Sequence, residues 1–340
     1  LTESLYDEAN NQRAVTEYAK RLTGLTGSET LTALRTAATT AAPAEAYRLT
    51  RNSYNGLGQL TASLNHEGTI TRYSYDEAGR LVKTETAQGT TEVRQGNRRY
   101  DVFGNLIGEL SGEGAVHLLA GMTEAQLDAV YASYGVRHSY DLLGRRVEST
   151  DALGNKTWMF YDASGRQTFT VRGVEDSAGI LNAQGEVSET RYNAFGEAID
   201  TIAYTGRITI AVPGSRVSAQ SAVSTLQYVA AQDSRTQFGY DVTGHLFSQI
   251  DAEGHATYYS YSSFGDLASI NRYSNSGSVS STFYLYDRRG LRTRQTDIVS
   301  GLSRSVNDTY DAFGRITRQV DARGTIRDFA YDRLGRQVST

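Results

Sequence analysis

The sequence predicts a mostly-β chain: one continuous antiparallel meander, curved, with a few helical insertions. Three observations predict it. A heptapeptide with Tyr first and Gly fifth recurs eleven times in 340 residues. A second glycine falls 14 residues after the Tyr at Gly68, Gly89, Gly114, Gly154, Gly206, Gly254 and Gly324. Between these turns lie strand-length segments rich in Thr, Val, Ile, Tyr and Phe, in a chain with 33 Gly, 23 Tyr and only 2 Pro.

The copies begin at Tyr54, Tyr75, Tyr100, Tyr140, Tyr161, Tyr192, Tyr240, Tyr261, Tyr286, Tyr310 and Tyr331. Their fifth residues are Gly58, Gly79, Gly104, Gly144, Gly165, Gly196, Gly244, Gly265, Gly290, Gly314 and Gly335. Eight copies carry Asp second: Asp76, Asp101, Asp141, Asp162, Asp241, Asp287, Asp311 and Asp332. Asp at the start of a turn accepts amides further along it, and Gly at its end takes the positive φ other residues resist. The shortest Tyr-to-Tyr spacing, 21, recurs four times, so it is the basic unit and the longer spacings are insertions. One unit is therefore two antiparallel strands and two tight turns. Its length is too short for a four-stranded propeller blade, and paired tight turns argue against a parallel β-helix. Some 22 strands side by side at about 4.8 Å would make a strip of roughly 105 Å that must twist and curl.

Along the chain, residues 1–53 read as a degenerate repeat with helical insertions. Tyr6-Asp7 starts a twelfth copy that lacks the Gly. Residues 7–22 place Val15, Tyr18 and Leu22 on one helical face, and 28–42 place Leu31, Leu34 and Ala38 in register. Residues 54–340 read as the repeat sheet, with insertions near 115–135 and 207–235. Thr123 and Gln126 form a capping-box pattern closed by Gly135, and 219–231 reads as a helix. Within each unit the repeat Tyr and the residue two before it share the buried face; these partners include Tyr73, Met159, Phe238, Tyr259, Tyr284 and Phe329. A buried Tyr removes roughly 150–250 Å² from water, of order 4 kcal/mol gross at ~25 cal/mol per Å². The tyrosines thus read as structural anchors.

Composition removes several classes of function. The absence of Cys excludes a disulfide framework, thiolate zinc and a cysteine nucleophile. A net charge of −4 gives no bulk attraction to nucleic acid or anionic membrane. No apolar run is long enough for a membrane-spanning helix, and no signal peptide is visible. His66, His117, His138, His245 and His255 show no metal-ligand spacing, and no nucleophile elbow or phosphate loop occurs. No metal, no cofactor and no enzymatic activity are expected. Arg follows the repeat Gly at Arg80, Arg145, Arg166, Arg315 and Arg336. These read as partners of the Asp in a neighbouring turn, with an Arg–Tyr ladder for glycans or unfolded cargo as the sharper alternative.

The heptapeptides YDEAGRL from Tyr75 and YDAFGRI from Tyr310 resemble the YD repeats of bacterial RHS (rearrangement hotspot) proteins, also found in the C component of insecticidal Tc toxins and in teneurins. The resemblance covers residues 54–340. It implies a sheet that spirals into a hollow shell around a C-terminal toxin domain, in a secreted toxin of interbacterial competition or host attack. On that reading the partners are the rest of a larger parent chain, its toxin cargo, and secretion-system or toxin-complex components. The family's paired-aspartate DPxG junction is absent from these residues, so the chain reads as an interior stretch of shell wall. A surface adhesion or glycan-binding module is the alternative the repeats also allow.

Overall fold

The computed structural model describes residues 2–18, 32–34, 36–37, 47–86 and 93–339. Among them are twenty-six strands and three helices of four residues or more: α1 (Gly112–Ala115), α2 (Glu124–Tyr134) and α3 (Arg216–Val223). Every described strand pairing is antiparallel. Long antiparallel β-structure is thus what the glycine and tyrosine spacing specifies.

Each repeat hairpin is built alike. The Asp76 amide donates to the Arg80 carbonyl at 3.0 Å and the Gly79 amide to the Asp76 carbonyl at 2.9 Å. Gly79 lies at φ 80°. This is a three-residue hairpin loop, a type I turn followed by a left-handed glycine. The register shifts by one residue where each Tyr joins the turn, for example between Ser74 and Tyr75. That bulge sharpens the local twist.

The chain divides into two compact units. The first comprises residues 1–95, 284–297 and 303–340. Its strands from Thr2 to Thr86 pair consecutively, as do those from Leu302 to Asp328, and Glu3 pairs with Ser339. Its fully buried described residues are the polar Glu3, Asp308 and Ser339; no apolar side chain there is fully buried. This unit is a sheet with two partly open faces. On one of them Tyr73 is half-buried between exposed Arg72 and Ser74, as the alternation predicts.

The second unit comprises residues 96–283 and 298–302. Strands ending in Tyr100, Tyr140, Tyr161, Tyr192, Tyr240 and Tyr261 alternate with antiparallel return strands, so their hairpins line one rim. The insertions leave from the opposite rim. Residues 204–233 fold back over one sheet face, where Trp158, Phe160, Val171, Val187 and Ile202 pack with Ile208, Ile210, Ala219 and Val223. That face carries the residues one and three before Tyr161, so this stretch is buried on both sides. α2 opens with the predicted box: the Thr123 hydroxyl accepts from the Gln126 amide, Gln126 reaches back, and Gly135 closes it. Its Tyr131 ring lies where a side chain at Gly108 would stand, a Cβ there meeting the ring at 2.6 Å.

The structure corrects three sequence expectations, while Gly89, Leu22, Leu31 and Ala38 lie outside the described residues. Residues 12–18 are a strand, because Asp7–Asn11 forms a repeat turn with Asn10 at φ 68° in the glycine's place. The helical spacing of Val15 and Tyr18 was incidental. Residues 32–34 and 36–37 are helical, and the rest of the 28–42 expectation lies outside the described residues. The helix expected at 219–231 runs from Arg216 to Val223, started by Ser215 accepting from the Ser218 amide. Gly114 sits inside α1 and Gly206 takes no positive φ, so neither is a second-turn glycine, whereas Gly68, Gly154, Gly254 and Gly324 are.

Candidate functional site

The recurrent feature is a clasp between successive repeats. The Tyr hydroxyl donates to the backbone carbonyl of the seventh residue of the preceding heptapeptide. Tyr75 reaches Leu60 at 2.9 Å, Tyr140 Leu106 at 2.8 Å, Tyr161 Arg146 at 2.8 Å and Tyr192 Gln167 at 2.9 Å. Tyr240 reaches Ala198 at 3.1 Å, Tyr261 Leu246 at 2.9 Å, Tyr310 Arg292 at 2.7 Å and Tyr331 Ile316 at 3.0 Å. Tyr54 reaches Gln12 at 3.1 Å, the seventh residue counted from Tyr6, which places the degenerate first copy in the same scheme. Tyr100 and Tyr286 end their strands at the same turn position. All eleven are half-buried. The ring covers its neighbour while the hydroxyl satisfies a rim carbonyl that the bulged ladder leaves over.

The turn carboxylates serve the turn. Asp101 accepts the Phe103 amide at 2.9 Å and the Asn105 amide at 2.8 Å. Where Arg follows the Gly, its Nε meets the second oxygen: Arg80–Asp76 2.7 Å, Arg145–Asp141 2.7 Å, Arg166–Asp162 2.7 Å, Arg315–Asp311 2.6 Å, Arg336–Asp332 2.6 Å. The partner is the Asp of the same turn, not of a neighbouring one. The Arg80 amide, against partial loss of water, and then its guanidinium hold the Asp76 carboxyl below the usual carboxylate range; Asp162 and Asp311 follow suit. The guanidinium then lies over the next repeat's ring: Arg145 over Tyr161 at 4.6 Å, Arg166 over Tyr192 at 4.8 Å, Arg315 over Tyr331 at 4.6 Å. In the 240s His245 replaces Arg and stacks on Tyr261 at 4.5 Å. Sequence reasoning found the Tyr, Asp, Gly and Arg positions but not the acceptor, because a backbone carbonyl leaves no mark on residue identity.

Outside the clasp, one cluster has hydrolase-like residue types. His138 Nδ1 lies 2.5 Å from Ser149 Oγ. Burial, and then Arg146, push the His138 pKa down. Glu109 lies 3.9 Å from Nε2, beyond hydrogen-bond reach, so no Ser–His–acid relay is formed. A groove of about 450 Å³ beside α2 is lined mainly by Val116, Leu119, Met122, Ala129 and Val130, with His117 stacked on Tyr134 at 4.0 Å. Convergent polar groups are not what it offers. Among the described residues, no cluster of three or more His, Asp and Glu could hold a metal ion. No helix among them is long and apolar enough to cross a membrane.

Residues 54–91 and 310–340 match the sequence profile of the RHS Repeat. No curated protein matches the chain. Among solved structures it is similar to a complex of TcdB2, TccC3 and Cdc42, at 13% identity over 98% of this chain and 21% of that one, TM-score 0.27. It is similar to TcdB2-TccC3 at 12% identity over 99% and 22%, TM-score 0.28. A Tc holotoxin pore of Photorhabdus luminescens aligns at 13% identity over 85% and 19%, TM-score 0.27. The chain thus spans about a fifth of the length of those chains. The hairpins and clasps define a tandem β-repeat protein whose units are tied to one another through tyrosine. Two stretches of it, residues 54–91 and 310–340, carry the RHS Repeat.

Proposed function

We propose that this chain is a non-enzymatic wall segment of a shell that encloses a C-terminal toxin domain, within a larger secreted bacterial protein. The clasp carries this reading. Each repeat ties itself to its immediate predecessor, through the seventh carbonyl and the strand ladder, so a wall of this kind can be lengthened without a solid core. The first unit supports this reading, with two partly open faces and no fully buried apolar side chain among its described residues. Asp, Arg and Tyr of the repeat are spent on turns and neighbouring rings, which leaves them a structural part. The test is limited proteolysis of the full-length parent. A C-terminal domain that resists protease until the sheet is denatured supports enclosure, and one digested as fast as the free domain refutes it.

One observation favours a second reading, glycan binding at a cell surface. Tyr258 and Tyr273 stand 43% and 40% exposed with rings 5.8 Å apart, edge to face. The exposed face of either ring could stack on a sugar. Saturable glycan binding lost in Tyr258→Ala would support it, and no binding across a broad glycan array would dismiss it.

A further inference from the structure

Five of the six Tyr hairpins of residues 96–283 have apolar tips, the exception being the Tyr161 hairpin with Ala163 and Ser164. The fourth residue is Phe103, Leu143, Phe195 or Phe264, and Leu142 and Val242 stand one place earlier; their exposures run from 77% to 105%. The turn does not require them. Ser164 and Thr243 fill the same tip position and donate to their turn carboxylates at 2.9 and 2.8 Å, as Phe103 does at 2.9 Å. Ala or Ser would serve the backbone equally, at less exposure of hydrocarbon to water.

These tips share one rim, a hairpin every two strands, so they repeat at roughly 9.5 Å. Three Phe at roughly 150–250 Å² each and three aliphatic tips at roughly 60–120 Å² give about 600–1,100 Å² of apolar surface. Summed along the rim, that is close to the ~800 Å² each partner contributes to a stable interface.

We infer that this rim is the contact surface for a second copy of the chain, rim against rim. A row of knobs with this period stays engaged only against a partner of the same period. A second copy related by a two-fold axis provides one. The net charge of −4 sets little repulsion against it.

The test is sedimentation velocity on the whole chain from 1 to 100 µM, with the triple variant Phe103→Ser, Phe195→Ser, Phe264→Ser beside it. The native chain should dimerise with concentration. The variant should stay monomeric, its dissociation constant raised at least tenfold, with an unchanged circular dichroism spectrum and melting midpoint. Because the chain has no Cys, Phe195→Cys gives an independent reading: oxidation should yield a covalent dimer, whereas Ala252→Cys in an opposite-rim turn should not. A native chain monomeric at 100 µM, or a triple variant that associates as the native chain does, overturns the inference. So does a monomeric native chain that co-sediments with phosphatidylcholine vesicles through the same Phe residues.

Discussion

The clasp can be taken apart chemically at Tyr192. Its hydroxyl donates to the Gln167 carbonyl at 2.9 Å, and Arg166 lies over its ring at 4.8 Å. Tyr192→Phe removes only the hydrogen bond, about 1 kcal/mol where water can reach the orphaned carbonyl. Tyr192→Ala removes the ring as well. Half-burial of a ring of roughly 150–250 Å² at ~25 cal/mol per Å² is about 2–3 kcal/mol, and the lost cation–π contact adds ~0.5–1. With the hydrogen bond, the total is about 4 kcal/mol. Urea unfolding followed by circular dichroism reads both. Equal losses for Phe and Ala would show that the ring contributes nothing. A Phe variant equal to the native chain would show that the hydroxyl does nothing. Tyr192→Phe combined with Tyr261→Phe should be additive, since each clasp involves only its own neighbour.

Gly196 sits at φ 91°, and a Cβ there would meet nothing nearer than the Arg166 guanidinium at 3.7 Å. Gly196→Ala should therefore cost about 1–2 kcal/mol from backbone strain alone, measured by the same unfolding curve. The Thr243 hydroxyl, and then the His245 amide, lower the Asp241 pKa from 3.8 to about 2. Folding thus favours the ionised form: its contribution is complete above about pH 4 and disappears as pH falls through about 2, and Asp241→Asn should flatten that part of an acid-unfolding profile. Trp158 is the sole Trp and fully buried in the second unit, whereas the first has no buried apolar side chain among its described residues. Amides of 47–86 should therefore exchange with deuterium sooner than those of 156–174, and circular dichroism should begin to fall in urea before Trp fluorescence shifts.

Much of this architecture was legible because its determinants are local. Asp76 and Gly79 fix a hairpin through atoms within five residues of each other, and such chemistry is written in residue types. The two-residue alternation likewise exposed the half-buried face of Tyr73. What escaped was either non-local or mimicked. Gln12 accepts from Tyr54 through its backbone, 42 residues away in sequence. Asn10 does a glycine's work because Asn tolerates the left-handed region, so the turn before Gln12–Tyr18 was read as a helix start. The Arg residues could be assigned to turns but not to their own, since sequence spacing does not say which way a guanidinium folds.

The clasp also explains why the repeat lengthens on one side only. From Tyr100 to Tyr140 there are 40 residues and from Tyr192 to Tyr240 there are 48, yet Tyr140 still finds Leu106 at 2.8 Å and Tyr240 finds Ala198 at 3.1 Å. Both insertions follow the return strand. None of the eleven copies is interrupted between its Tyr and its seventh residue. Extra residues inside that stretch would displace the acceptor and open the carboxylate-capped turn together, at several kcal/mol. Extra residues at the other rim cost only about 0.6 kcal/mol per doubling of the loop. Six Gly-Ser residues placed between Glu253 and Gly254 would break a turn capped in the same way, by Asp251, but displace no tyrosine acceptor, so they should destabilise the chain only modestly. The same six between Thr243 and Gly244 should destabilise the chain severalfold more. Equal effects at the two sites would mean that strand pairing alone, without the tyrosine clasp, sets the register of this sheet.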